Sequence, residues 1–448
     1  MTAKKNKWPL FLDRVSTHSE FDFLKDVSVA YPERRDRMSR QVIEHFSTAL
    51  IILFLSLFCL IFLTCSTSND EDPDPYSTPT TTPTSMATPT PESSDLDQFI
   101  IENMAVAHLP GLAAGIIKHN TVVWAQGYGW AHIENEMPVS VDTLFMLASV
   151  SKTVTLTAVM QIWEDGLFSL DEDVNLSLSF PVHNPHYPDQ DITFRQLLTH
   201  TSSIKDNWDV LLSVYTMGDS PLSLEYFMEN YFSPSGEFYD STKNFYSFQP
   251  GEHHSYCNQA VTLAGYLVEV ITSTSFEENC QNRIFDPLGM ATTSWHLADL
   301  DLTQVAMPYG YNNTTGFEPY GYFCYPDFPA GGLRTSVMEL ARFLIMFINF
   351  GEYQGVRILQ RETVELIRTR QVPDLHPNQA LIWFYNERDG LTYLGHGGSD
   401  FGVNTMIRFR PADGVGVIVL SNGDLAGPEA SKAFNAIIYR LFDEASNY

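Results

Sequence analysis

The feature that most constrains this chain is one long run without a charged residue, from 46 to 69. Its central part, residues 49–63, is almost wholly Ile, Leu and Phe and has no polar face, unlike the surface helices of globular proteins. A run of this length suits a helix that spans a membrane, or the core of a signal sequence. We therefore predict a transmembrane or signal-anchor helix over residues 46–65.

The distribution of basic residues predicts which side of the membrane each part occupies. Nine lysines and arginines lie before residue 41, and none follows the apolar run until Lys118. The positive-inside rule then makes residues 1–45 a cytoplasmic N-terminal segment and places the rest outside the cytoplasm. The alternative is a lipoprotein, because residues 62–65 loosely match a lipidation box that ends at Cys65, with Met38 as the start of a signal peptide. Both interpretations predict a membrane-anchored protein whose N-terminal apolar segment has the membrane as its partner.

Residues 66–94 are rich in Ser, Thr and Pro and lack apolar periodicity, which predicts a semi-extended linker. After residue 65 the chain has 17 basic and 47 acidic side chains, a balance of −30. Such an acidic body would repel a phosphate backbone, so nucleic acid is excluded as a partner. Only three cysteines follow residue 65, and their spacing is not that of zinc ligands.

Residues 95–448 read as one folded domain. Apolar patterns predict a helix over residues 95–109, a hairpin of strands at 111–118 and 121–129, and a helix from Ser149 to Gly166. Near the other end, strand patterns at 391–396, 403–409 and 415–420 precede a helix at 430–442. Residues 167 to about 325 form a mainly helical insert. We predict an α/β (α+β) fold in which helices flank one antiparallel sheet.

Ser149-Val150-Ser151-Lys152 carries the first chemical signal. Side chains at i and i+3 share a helix face, so the Lys152 amine can reach the Ser149 hydroxyl. A lysine buried on an apolar helix loses part of its preference for the charged form and can act as a base. A second Ser-x-x-Lys, residues 202–205, has no apolar helix behind it, and we predict that it lies in a loop.

Two further motifs follow in the chain. Tyr256-Cys257-Asn258 precedes an apolar helix pattern, and residues 395–398, Gly-His-Gly-Gly, end a strand pattern. Together with Ser149 and Lys152, these motifs resemble the serine β-lactamase and penicillin-binding family, specifically its class C and esterase branch. The resemblance covers about residues 95–445 and implies a β-lactamase-like fold.

The resemblance also implies a role for each matching residue. Ser149 would be the acylated nucleophile and Lys152 the amine that takes its proton, while Tyr256 would pass a proton to the leaving group. Asn258 would orient Lys152 and the substrate. The remaining members of the predicted site line the cleft, where Ser149 and Ser399 supply backbone amides to an oxyanion hole and the edge strand contains His396 and Gly398.

The resemblance has one informative departure. His396-Gly397-Gly398 stands where true β-lactamases have Lys-Thr-Gly, so a fixed cation and a hydroxyl for a substrate carboxylate are missing. We therefore expect a membrane-tethered serine hydrolase with esterase-like activity on small ester, amide or peptide substrates. The alternatives are a D-Ala-D-Ala carboxypeptidase, a class C-like β-lactamase, or a non-catalytic penicillin-recognising protein. No cofactor or metal is implied, and no obligate protein partner can be inferred.

Other hydrolase classes fit less well. An α/β-hydrolase needs a Gly-x-Ser-x-Gly elbow, which the sequence lacks. The nearest approaches to a metal-ligand pattern are the pairs His183 with His186 and His253 with His254, and loops on the surface explain both.

Overall fold

The computed structural model describes residues 94–448. The predicted N-terminal segment, the apolar run and all of the linker except Ser94 lie outside the described residues. Within residues 94–448, no helix is both long enough and apolar enough to cross a membrane.

One antiparallel sheet of seven strands organises the domain. The strands are β1 (Gly111–Lys118), β2 (Thr121–His132), β3 (Met137–Pro138), β4 (Phe384–Arg388), β5 (Leu391–Asp400), β6 (Val403–Arg410) and β7 (Val415–Ser421). Their order across the sheet is β4-β5-β6-β7-β1-β2-β3. β1 therefore pairs with β7, the strand nearest the C-terminus of the domain. Leu112 lies opposite Ser421, and Ile117 lies opposite Gly416. β1 and β7 are buried almost throughout, as expected for central strands covered on both faces.

The terminal helices cover one face of the sheet. They are α1 (Asp95–Ala107) and α7 (Pro428–Glu444), which pack on each other and on the central strands. Ser94 caps α1 through a capping box with Asp97, which satisfies backbone amides that a helix leaves unpaired at its start. Ile100 and Met104 of α1 join Ile437 and Leu441 of α7 in a separate apolar core.

The larger core lies on the other face, beneath the helices that contain or surround the predicted site. The longer helices there are α2 (Ser151–Glu164), α3 (Leu224–Phe232), α4 (Asn258–Thr272), α5 (Val337–Ile348) and α6 (Arg361–Arg368). Shorter helical segments span Phe194–Leu198, Trp208–Ser213, Phe276–Cys280, Gln281–Phe285 and Asp286–Leu288. Four two-stranded pairs complete the fold: Phe145–Met146 with Arg334–Thr335, Thr216–Met217 with Phe323–Cys324, Tyr309–Asn312 with Gly316–Pro319, and Glu352–Tyr353 with Val356–Arg357.

Most element boundaries lie close to those expected from the sequence. His119 and Asn120 both have positive φ angles, 53° and 58°, as a tight hairpin turn requires. β5 continues to Asp400, four residues past the predicted end, because a run of small residues hid the strand pattern. Ser336 caps α5, because its side chain accepts a hydrogen bond from the Glu339 amide. The Glu339 carboxylate accepts hydrogen bonds from the Thr292 amide and the Thr293 hydroxyl.

Candidate active site

Ser149 lies in a single 3₁₀ turn, Ala148–Val150, directly before α2. The preceding Ala148 has a φ of 45°, a left-handed conformation that costs energy for a residue with a side chain. Strand β6 fixes the turn, since the Thr405 hydroxyl donates to the Leu147 carbonyl at 2.6 Å. The helix was predicted to begin at Ser149 but begins two residues later, at Ser151. Ser149 itself lies in the 3₁₀ turn that leads into the helix.

Lys152 is completely buried and reaches back to Ser149. Its Nζ donates to Ser149 Oγ at 2.9 Å and to the Ala330 carbonyl at 2.6 Å. Burial lowers the pKa of this amine to about 7, although the carboxylates of Asp206 and Asp327 act in the opposite direction. A large fraction of Lys152 is therefore neutral at neutral pH. In that form one N–H can stay on Ala330 while the lone pair faces the Ser149 hydroxyl.

Tyr256 packs close to Lys152. Its ring centroid is 5.1 Å from Lys152 Nζ, and its ring packs on His200 at 4.3 Å. Burial raises the pKa of the phenol well above its ordinary value, and a hydrogen bond with Ser149 only partly offsets this. Tyr256 is therefore a protonated phenol at neutral pH, placed beside the nucleophile.

Asp206 fixes the start of α4, the helix that follows Tyr256. Its carboxylate accepts from the backbone amides of Asn258 and Gln259, both at 3.0 Å, and from the Cys257 thiol at 3.3 Å. An anion at this end of a helix is favourable because several backbone amides point at it. Sequence reasoning missed Asp206, which is distant in the chain and follows directly after the second Ser-x-x-Lys.

Asn258 and Cys257 both serve this helix start in the structure. The Asn258 side chain donates to Asp206 at 2.8 Å, and the Cys257 thiol accepts from the Ala260 amide at 3.4 Å. Burial raises the pKa of the Cys257 thiol well above its usual range, so it stays protonated. The predicted contact of Asn258 with Lys152 therefore stays a prediction, whereas Cys257 is a small buried capping residue.

Strand β5 forms the other wall. A Cβ on Gly398 would meet the Leu147 carbonyl at 2.2 Å and the Ser149 amide nitrogen at 3.0 Å, so only glycine lets the strand lie this close. β4 pairs with β5 only as far as Gly395, and no other described strand takes over that edge. His396, Gly398 and the exposed Ser399 therefore lie on an open strand edge beside Ser149.

His396 is buried and uncharged. Its Nδ1 lies 2.7 Å from the Gly397 carbonyl, and its ring centroid is 6.4 Å from that of Tyr256. Burial lowers the pKa of His396 to about 3, with Lys152 adding to the effect. The imidazole is neutral at every pH at which the rest of the site would work, so it supplies no fixed positive charge.

The competing Ser-x-x-Lys lies in a loop, as predicted. Ser202 accepts a weak hydrogen bond from the Ile204 amide, and Lys205 Nζ sits over the Tyr246 ring at 5.4 Å. Ser203 has a φ of 62°, which explains why glycine is suited to this position. The structure thus brings together Ser149, Lys152, Tyr256 and β5, and leaves residues 202–205 outside.

Two more acidic residues near Lys152 were not foreseen. Asp327 is buried and accepts from Gln259 Nε2 at 2.8 Å, and burial raises its pKa to about 7. Asp400, at the end of β5, accepts from the hydroxyls of Tyr215 and Tyr325. The spacing of Asp400 two residues after Gly398 was a usable signal, since alternate strand residues share a face.

Comparison with known proteins places these features in a family. The beta-lactamase family model matches residues 96–440, about three quarters of the chain. Protein flp of Staphylococcus aureus (strain N315) is 24% identical over 332 residues, which cover 73% of this chain and 62% of that protein. Penicillin-binding protein 4 of Amycolatopsis lactamdurans is 25% identical over 346 residues, covering 75% and 86%. The chain thus spans less than two thirds of the Staphylococcus relative.

A solved structure shares the fold. The octameric penicillin-binding protein homologue from Pyrococcus abyssi is 26% identical to this chain, with a TM-score of 0.60 and coverage of 78% of this chain and 77% of that one. The resemblance drawn from the motifs is therefore confirmed, as is the expected β-lactamase-like fold with an antiparallel sheet, which has seven strands in the structure. From residue 96 to residue 440, this chain belongs to the beta-lactamase family.

Proposed function

We propose that this protein is a serine hydrolase that forms an acyl-enzyme on Ser149 and acts on small esters. The observation that carries the proposal is the 2.9 Å contact between Ser149 Oγ and a buried lysine whose pKa is about 7. A neutral amine at that distance can accept the hydroxyl proton as the oxygen attacks a carbonyl.

Ser149, Lys152 and Tyr256 can carry out every proton transfer that the reaction needs. Ser149 Oγ bonds to the acyl carbon as its proton passes to Lys152, and the carbonyl oxygen becomes an oxyanion beside the Ser149 amide. When the bond between the acyl carbon and the leaving-group oxygen breaks, the Tyr256 phenol gives the leaving-group oxygen a proton and receives one from the Lys152 ammonium. Water then attacks the acyl carbon, and Lys152 takes a proton from it. When the bond between the acyl carbon and Ser149 Oγ breaks, the Lys152 ammonium gives that proton to Ser149 Oγ and the acid is released.

The cleft edge supports esters over substrates that bear a carboxylate beside the scissile bond. A charge-assisted hydrogen bond to such a carboxylate is worth roughly 1.5 to 3 kcal/mol, or about ten- to a hundredfold in affinity. His396 is neutral and Gly397 has no hydroxyl, so neither can make that bond. Neutral esters do not need it and can still use Ser149, Lys152 and Tyr256.

The test is a comparison of p-nitrophenyl butyrate with a chromogenic cephalosporin at neutral pH. We expect the ester to be hydrolysed far faster, and a fluorophosphonate to label Ser149. Replacing His396 by Lys and Gly397 by Thr should raise β-lactam acylation relative to ester turnover. A Cβ at Gly397 would meet the end of the flexible Met406 side chain at 3.1 Å and the Thr405 carbonyl oxygen at 3.6 Å, so a Cβ at this position requires only a small shift of Met406. Faster cleavage of the cephalosporin by the wild type would contradict the proposed substrate class.

A D-Ala-D-Ala carboxypeptidase or a class C-like β-lactamase is less well supported, since both act beside a substrate carboxylate. The second candidate is a penicillin-recognising protein without turnover; the names of two relatives support recognition of penicillin only. Labelling of Ser149 without release of product from any ester, amide or D-amino-acid peptide would favour that candidate.

The proposal includes attachment to a membrane, with the folded domain outside the cytoplasm. It rests on the uncharged run at residues 46–69 and on the basic residues that precede it. Fractionation of cells that express the full chain, followed by protease digestion of intact cells or spheroplasts, tests it. Recovery of the chain in the fraction of unattached proteins would contradict it.

A further inference from the structure

Strand β5 continues past Gly398 and ends in an acidic residue on the same face. Alternate residues of a strand point to one side, so Asp400 shares the face on which Gly398 contacts the turn of Ser149. Asp400 is half-buried, and its carboxylate accepts from the Tyr325 hydroxyl at 3.1 Å, the Tyr215 hydroxyl at 3.3 Å and the Phe401 amide at 2.8 Å. These donors hold the carboxylate in one position.

Aromatic rings surround this carboxylate. The Tyr215 ring is half-buried, and its centroid lies 4.8 Å from that of Tyr325 and 5.4 Å from that of Phe401. Phe323 stacks on the Tyr215 ring with centroids 5.6 Å apart, so the ring is only partly exposed. A carboxylate beside a partly exposed aromatic ring is a combination that binds ammonium groups, because both the charge and the ring quadrupole attract a cation. Gly331 leaves space for this arrangement, since a Cβ there would meet the Tyr325 hydroxyl at 2.2 Å.

The Asp400 carboxylate forms no ion pair in the part of the chain that the structure describes, although Lys152 is close enough for its pKa to be raised by Asp400. Among residues 94–448, no lysine, arginine or histidine forms an ion pair with it. The titratable groups that act on it include Asp424, whose charge is also negative, and Lys152 lies across the site. Asp400 is therefore an acidic group in the cleft whose charge is not neutralised by an ion pair among the described residues.

The position of Asp400 along the cleft defines which part of a substrate it meets. Tyr256, the proposed proton donor to the leaving group, lies near His396, at one side of Gly398. Asp400 lies at the other side, two residues or about 7 Å along the strand. A substrate whose carbonyl carbon is at Ser149 would place its leaving group toward His396 and its acyl chain toward Asp400.

We propose that Asp400 and Tyr215, positioned by Tyr325, form a subsite for an ammonium group on the acyl chain of the substrate. This proposal rests on the hydrolase function proposed above and names its substrate class: esters or amides of acids that have a cationic group about four bonds from the carbonyl carbon. The same site that lacks a fixed cation for carboxylates thus has a carboxylate for cations.

The experiment uses two esters of equal shape. The p-nitrophenyl ester of 4-(trimethylammonio)butyrate carries a permanent cation, and that of 5,5-dimethylhexanoate has carbon in place of the nitrogen. We expect wild-type kcat/KM to be about ten- to a hundredfold higher for the cationic ester, after correction for spontaneous hydrolysis. Asp400→Asn should lower the ratio to the small preference that the acidic body alone provides, and Tyr215→Leu should lower it in part.

Asp389→Asn is the matched control. Asp389 is an exposed acid at the turn before β5, with a φ of 53° that asparagine tolerates, so this variant removes the same charge at the far end of the same strand. It should keep the wild-type ratio. Equal kcat/KM for the two esters in the wild type, or an equal loss of preference in both Asp variants, would overturn the subsite.

Labelling by phosphonates separates this proposal from the hydrolase function. A p-nitrophenyl phosphonate with a 3-(trimethylammonio)propyl group reacts with Ser149 without any need for turnover, and its neutral carbon analogue is the comparison. Faster labelling by the cationic reagent that depends on Asp400 supports the subsite even if no ester is turned over, an outcome that would contradict the hydrolase alone. Ester turnover without a cation preference in either assay would contradict the subsite alone.

Discussion

At the scale of single residues, the site depends on a lysine that the fold keeps from solvent. Lys152 has one carbonyl partner, Ala330, and one hydroxyl partner, Ser149, in a helix that is buried from its first residue to Ile162. Burial of an amine disfavours its charged form, and the loss of charge is what makes it a base at neutral pH. Ser149 depends on this base, because the hydroxyl of a serine is a weak nucleophile unless a base takes its proton.

The choice between the two Ser-x-x-Lys motifs gives the first prediction. Ser149→Ala should abolish esterase activity while the protein stays folded, because it removes the attacking oxygen and little volume. Ser202→Ala is the matched control and should keep most of the activity, as residue 202 lies in a loop whose lysine packs on Tyr246. Ester hydrolysis and circular dichroism of both variants check this. Comparable losses of activity would show that Ser149 is not the nucleophile.

The second prediction concerns basicity. Lys152→Arg should lower kcat nearly as much as Lys152→Ala, on the order of a thousandfold or more, because a guanidinium cannot give up its proton in a protein. Steady-state kinetics with p-nitrophenyl butyrate measure both losses. Substantial activity in the Arg variant would mean that positive charge, and not basicity, is what the reaction needs.

The third prediction is the pH dependence that follows from the same amine. Its pKa is about 7, and only the neutral form can take the Ser149 proton. The value of kcat/KM should therefore rise through about pH 7 and fall about tenfold per unit on the acid side. Initial rates between pH 5.5 and 8.5 test this, with Ser149→Ala as the blank. A flat profile over this range would rule out Lys152 as the titrating base.

At the scale of elements, the site is the contact of one turn with one strand. Ala148–Val150 meets β5 where Gly398 has no side chain, and Thr405 of the next strand ties the Leu147 carbonyl in place. The helix start behind Tyr256 is fixed separately, by Asp206. Three elements from distant parts of the sequence thus bring the side chains of Ser149, Lys152 and Tyr256 within about 5 Å of one another.

The fourth prediction uses two neighbouring glycines. Gly398→Ala would place a methyl group 2.2 Å from the Leu147 carbonyl oxygen, so β5 and the turn of Ser149 must separate. We expect a loss of kcat of about a hundredfold, because an oxyanion donor moves. Gly397→Ala requires only a small shift of the end of the Met406 side chain and should keep most of the activity. Kinetics and thermal melting of both variants check this, and equal effects would contradict the close contact at Gly398.

The sequence predicted those elements whose local pattern agrees with their environment. Two short apolar runs and the His119-Asn120 turn located β1 and β2. The recurrence of Val154, Ala158 and Ile162 located α2, which is buried on all sides from Ser151 to Ile162. The end of β5 was missed because glycines carry no strand pattern. Asp206 and Asp400 were missed for a different reason: their partners Asn258 and Tyr215 are distant in the chain, and no local period records such contacts.

At the scale of the whole molecule, the dominant property is charge. Beyond residue 65 the balance is −30, and this total includes Asp206, Asp327 and Asp400 in the cleft around Lys152, although burial raises the pKa of all three carboxyl groups. A field of one sign focused at a cleft raises the local concentration of ions of the opposite sign. We therefore expect the body as a whole to favour cationic over anionic substrates, in agreement with His-Gly-Gly in place of Lys-Thr-Gly at the cleft edge.

The fifth prediction is a salt dependence. Raising the ionic strength from 20 to 300 mM should lower kcat/KM for the trimethylammonio ester several-fold, because screening weakens long-range attraction to the acidic body. The neutral 5,5-dimethylhexanoate ester is the control and should change little. An equal response of both esters to salt would show that the charge of the body does not act on the substrate.

The pairing of β1 with β7 has a consequence for the time at which the protein becomes active. Residues 111–118 are made early by the ribosome, yet their neighbour in the sheet, residues 415–421, is made about three hundred residues later. Contacts between such distant segments form slowly and late. Ser149 and Lys152 emerge long before Gly398 and Thr405, so a growing chain contains its nucleophile without the strand that positions it. The protein can therefore become active only after β5, β6 and β7 have been made and have joined the sheet.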